Sequence, residues 1–186
     1  MTDLKKITID IPNKYTYITK NVEKNNKEKK RIESEKWTFN REDYEYENQM
    51  TNVKEIFNNN YNHFNHISKV MYQQINKKIY GYKQQDIIKK LFDETKFINI
   101  QTIINKMIDT ELKCYYCNNE MLVLYDISRE MKQWSVDRID NDRGHNIDNF
   151  YLACLECNLK RRRRNDEKFL FTKQLKLVKK DDSLIN

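Results

Sequence analysis

The chain has 186 residues, 34% of them charged, with two Gly, one Pro and a formal net charge of +7. So little Gly and Pro excludes a linker or collagen-like chain, while 38% hydrophobic residues, including twelve Tyr and eight Phe, suffice for a small core. No apolar stretch approaches the ~20 residues that span a bilayer, and the opening MTDLKKITIDIPNK has no signal-peptide pattern. The expectation is an intracellular protein, not secreted, with no membrane partner. Its length allows one domain plus an arm, or two small units.

Residues 7–19 alternate as ITIDI and YTYIT around Pro12, which suggests a short hairpin or two extended segments. Charge then dominates to about residue 47, as an exposed helix or a linker, with Trp37 and Phe39 placed to dock its end on the body. Residues 1–48 are therefore read as a polar arm. From about Thr51 to Thr110 the pattern is helical. Phe64, Ile67, Met71 and Ile75 form one stripe, and Gly81 is expected to break that run. A second helix over 84–93 would put Ile87, Ile88, Leu91 and Phe92 on one side. A third, capped by Asn99, carries Ile100, Ile103, Ile104, Met107 and Ile108. Residues 49–111 thus predict a small helical bundle. His63 and His66 could share a metal, but a plain surface pair is the commoner outcome where no third ligand is in view.

The remainder, 112–186, holds the chemistry. Cys114/Cys117 and Cys154/Cys157 are two Cys-x-x-Cys pairs that use every cysteine in the protein. Each pair can place two thiolates on one ion, and together they complete the tetrahedron of a structural zinc site; four unrelated buried thiols are the alternative. Without a secretion signal, this spacing fits a reducing compartment better than a disulfide scaffold. The 36 residues between Cys117 and Cys154 read as a strand over 120–125, a strand over 133–139, a turn at 141–144 and an extended run over 149–153. Residues 158–170 read as a helix. Between Asn158 and Lys180 ten Lys or Arg face two acids, so this block carries the whole net charge. Such a block reads as a footprint for a phosphate backbone, with a solvated helix face or an import signal as alternatives.

The stretch SVDRIDNDRGHNIDNFYLACLECNLKRRR resembles the HNH endonucleases, the ββα-metal group, in the subgroup with a Cys-x-x-Cys treble-clef zinc site. The match covers roughly residues 112–175 and also resembles HNH proteins of large DNA viruses and phages. It implies an α+β protein whose C-terminal ββα-metal module follows a helical segment and a polar arm. It further implies a virus-encoded, metal-dependent DNA endonuclease acting in the cytoplasm or nucleus of a host. By resemblance, Asp137 and Asn158 would ligate a catalytic Mg²⁺ or Mn²⁺, and Asn149 would brace the hairpin. Lys160 and Arg161 would face the scissile phosphate, with Arg162, Arg163 and Arg164 gripping flanking phosphates.

One departure matters. Where the family places its general-base His, this chain has Arg138, which cannot be deprotonated but can bind phosphate. His145 is the one remaining histidine in the module; it is either a relocated base or a residue that merely hydrogen-bonds its turn. Two functions follow: an active endonuclease, or a catalytically inactive zinc-stapled nucleic-acid-binding or packaging protein. A zinc-stapled interaction domain is a third.

Overall fold

The structure is a computed structural model, and it describes residues 29–175. The expected hairpin at 7–19 and the basic residues beyond 175 lie outside the described residues. The fold is mixed α+β. Its helices are α1 (Tyr46–Asn58), α2 (His66–Ile88), α3 (Ile100–Asp109), α4 (Leu155–Arg161) and α5 (Asp166–Gln174), and its strands are β1 (Trp134–Arg138) and β2 (Phe150–Cys154).

The helical segment is built on one apolar seam. Val53, Met71, Ile75, Ile103 and Met107 are each fully buried where α1 meets α2 and α3. Asn99 caps α3 as expected, accepting from the Thr102 N–H at 2.9 Å. Trp37 and Phe39 are partly buried against the core, their rings 5.3 Å apart.

Four expectations are corrected here. Gly81 does not break α2, which runs 23 residues straight through it. A mid-helix glycine costs only about 1 kcal/mol relative to alanine, and the buried Met71, Ile75 and Ile79 outweigh that. The separate helix over 84–93 therefore does not exist. Ile87 and Ile88 are exposed, and it is Asp86 that α2 buries completely.

Residues 120–125 do not form a strand. Gln49, fully buried on α1, intercepts their backbone: its Oε1 accepts from the Val123 and Leu124 N–H groups at 2.7 and 2.8 Å, and its Nε2 donates to the Leu124 carbonyl at 3.0 Å. One amide side chain thus does the work of a neighbouring strand.

The basic helix is two helices. Arg162 takes φ 55°, in the left-handed region, and α5 restarts behind Asn165, whose side chain accepts from the Lys168 N–H. An unbroken helix would carry Phe169 roughly 12 Å beyond Arg161. The break instead returns Phe169 to the core, edge-on to Tyr116 at 5.0 Å.

β1 and β2 pair antiparallel, with Trp134 opposite Cys154 and Asp137 opposite Tyr151. α4 packs across both strands. The described order is thus a hairpin followed directly by a helix that starts between the second pair of cysteines.

Candidate metal centre and nucleic-acid interface

The Sγ atoms of Cys114, Cys117, Cys154 and Cys157 all lie within 4.8 Å of one another. A tetrahedral ion with Zn–S arms of 2.3 Å requires sulfur–sulfur edges of about 3.8 Å, and Cys117 to Cys154 measures 3.9 Å. The cluster can hold a metal such as zinc. Local chemistry shapes both halves. The first knuckle closes through Asn118, at φ 57°, whose N–H donates to the Cys114 carbonyl at 2.9 Å. Asparagine tolerates that conformation better than most residues. In the second, Cys154 caps α4, its sulfur accepting from the Cys157 N–H. Hydrogen bonds from Cys154 and Cys157 hold the Cys114 thiol far below its ordinary pKa, and in return Cys154 is pushed up to about 12.

Asp137 is not open to solvent. Only 3% of it is exposed, its Oδ2 accepts from the Tyr116 hydroxyl at 2.6 Å, and its Oδ1 pairs with Arg161 at 2.8 Å. The same guanidinium donates to the Arg138 and Ile139 carbonyls at 2.6 and 2.7 Å. Arg161 is itself 1% exposed, which corrects its expected place on a nucleic-acid face. The end of β1 presents a carboxylate and two carbonyls to one point, and a tethered cation fills that point. Asn158 is likewise engaged, its Nδ2 donating to Ser135 Oγ and the Val136 carbonyl at 3.1 and 3.2 Å. As it stands, the Asp137 carboxylate is taken up by Tyr116 and Arg161. Among the described residues, the four-cysteine cluster is the one group of three or more His, Cys, Asp or Glu side chains placed to hold a metal ion.

His145 is also placed differently from a base beside Asp137. Its Nδ1 meets Asp86 Oδ1 at 2.7 Å, its backbone N–H donates to Asp86 Oδ2 at 2.6 Å, and its ring stacks on Tyr82 with centroids 4.7 Å apart. The preceding Gly144 is required by this junction, since a Cβ there would sit 2.5 Å from the Leu91 carbonyl. His145 therefore locks the loop onto the end of α2. Burial holds its imidazole below the ordinary pKa, against the opposing pull of Asp86. A histidine whose pKa is lower in the fold than in the unfolded chain gives stability that is present above pH ~6.5 and lost as pH falls below it toward the folded value. Urea midpoints measured from pH 7.5 to 5 are expected to show this fall. A His145→Gln variant, less stable throughout, should show a flatter profile over the same window; parallel profiles would sink the assignment.

Asn149 braces the loop, its side chain accepting from the Asp140 N–H at 2.9 Å and donating to the Asp140 and Gly144 carbonyls, each at 3.0 Å. Arg138 is half-buried and donates to the Arg143 carbonyl at 2.9 Å. Lys160 is exposed and paired with Glu156. Arg162, Arg163 and Arg164 are all exposed on the turn between α4 and α5, with Arg163 reaching Asp142 at 2.8 Å. His63 and His66 are exposed, and His66 packs edge-on against Phe39. Among the described residues, no helix is long and apolar enough to cross a membrane.

Sequence reasoning missed Asp86, Tyr82, Tyr116 and Gln49. Each reaches its partner across 21 or more residues, and no local spacing announces such a contact. The chain matches no family model, no curated protein and no solved structure.

Proposed function

We propose that this chain is a nucleic-acid-binding protein whose hairpin-and-helix module follows the HNH plan, stapled by a structural zinc ion, with DNA as its partner. The observation that carries this reading is the turn after α4. Arg162, Arg163 and Arg164 stand exposed in succession on a backbone anchored five residues earlier by Cys157. A rigid run of guanidinium groups grips phosphate oxygens, and each neutralised phosphate releases counterions. The buried Arg161–Asp137 pair favours binding over hydrolysis, because it occupies the carboxylate that a catalytic ion would need.

The test is anisotropy of a labelled duplex with zinc-loaded protein over a series of salt concentrations. Replacing Arg162, Arg163 and Arg164 together by Gln is expected to weaken binding at least tenfold. It should also reduce the slope of log K against log salt by up to about 2.7, at roughly 0.9 per lost phosphate contact. Unchanged affinity and slope would overturn the reading.

Metal-dependent endonuclease activity is the second reading. It is favoured by the brace that Asn149 gives the hairpin loop. Nicking of supercoiled plasmid that requires Mg²⁺ or Mn²⁺ and disappears in Asp137→Ala would place this reading above the first.

A further inference from the structure

A cavity of about 240 Å³ opens beside Trp134 at the start of β1, walled also by Arg31, Glu33, Lys77, Lys78 and Tyr125. Three cations thus surround one carboxylate. Glu33 is already engaged, by Lys77 and by Arg31 at 3.1 Å. Among the described residues Lys78 has neutral partners only, the Gln133 Oε1 at 2.8 Å and the Trp134 carbonyl. Its Nζ lies 4.9 Å from the centre of the Trp134 ring and 5.4 Å from that of Tyr125. Arg31 covers the Tyr125 ring too, at 4.3 Å, while also bonding Gln74. Like charges drawn together repel, and an ammonium without a counter-ion is costly to bury.

We propose that this cavity is an oxyanion site, in which a sulfate- or phosphate-sized group supplies the counter-ion that Lys78 lacks among the described residues and is flanked by Arg31 and Lys77. The inference is independent of nucleic-acid binding by the α4–α5 turn. Burial and then Arg31 push the Lys78 ammonium down to about 7. The groups facing it are Arg31 and Glu33 from the arm, Gln74 and Lys77 from α2, Tyr125, and Gln133 and Trp134 at the start of β1. An added anion favours the charged amine, so binding and protonation strengthen each other.

Sulfate is the probe of choice because it does not itself titrate in this range. In full-length, zinc-loaded protein carrying ¹³C-labelled lysine, one Cε signal is expected to titrate near pH 7 and to be missing in Lys78→Met. Saturating sulfate should raise that midpoint by a unit or more, and sulfate should bind about tenfold tighter at pH 6 than at pH 9. A second arm adds a short duplex. If the duplex raises the midpoint and sulfate competes with it, the oxyanion is a backbone phosphate; if only sulfate does so, it is a small solute anion. A midpoint that neither probe moves overturns the proposal, as does equal sulfate binding by a folded Lys78→Met. Should that variant fail to fold, the wild-type midpoint alone decides.

Discussion

With zinc in the four-cysteine cluster, as proposed, chelation is expected to unfold the hairpin, α4 and the segment around Tyr116 together. The reason lies in what the sulfurs connect. Cys114 and Cys117 close the knuckle that follows α3, whereas Cys154 and Cys157 join the end of β2 to α4. A two-stranded sheet is marginal by itself in water, and among the described residues this one consists of β1 and β2. Structural zinc contributes about 10–16 kcal/mol of apparent binding energy in small modules, as much as the whole ~5–15 kcal/mol by which a typical domain is stable. Chelation should therefore redshift the emission of Trp134, which is fully buried opposite Cys154; a Trp37→Phe background isolates that signal. One zinc per chain should be released, and returning it should restore the spectrum. Cys157→Ser should behave like the chelated protein. A thermal midpoint that chelation leaves in place would show that the thiols are held by packing alone.

Much of this was legible in the sequence, and the reason differs from element to element. The cysteine pairs declared their cluster because ligand spacing is a local signal. α3 declared itself because an N-cap and an apolar stripe agree within ten residues. β1 and β2 were visible as extended runs. The failures share a cause: each was decided by a partner distant in sequence. Residues 120–125 look like a strand until Gln49 takes their hydrogen bonds. The KRRRR run looks like a uniform cationic face until Asp137 and two carbonyls claim its second residue. Ile87 and Ile88 look like core, yet Asp86 is the residue that faces inward, because the loop at His145 supplies it with hydrogen bonds. Polar residues that make tertiary bonds carry no periodicity, so hydrophobic patterning cannot find them.

Arg161 and Asp137 provide the other large effect. Their side chains are 1% and 4% exposed, so removing either leaves an uncompensated buried charge. Arg161→Met or Asp137→Asn alone is expected to cost about 3–5 kcal/mol, against near-neutrality for the exposed Arg162–Arg164 replacements. The double variant should cost much less than the two singles added together. Acid should discriminate further. Burial already raises the Asp137 pKa, against the pull of Tyr116 and Arg161; with Arg161 gone it must rise more. A carboxyl whose folded pKa exceeds its unfolded value near 3.9 is best tolerated below that value and loses stability as pH rises through the folded one. Arg161→Met should therefore be least compromised, relative to wild type, at the acid end of a denaturation series. The functional consequence follows from the same burial. An arginine with no exposed surface has no reach to a phosphate, so folded Arg161→Met, assayed well below its melting temperature, should bind DNA as wild type does. Loss of binding in a demonstrably folded variant would mean that Arg161 leaves Asp137 for the backbone when nucleic acid arrives, and would free the carboxylate on which the hydrolytic reading depends.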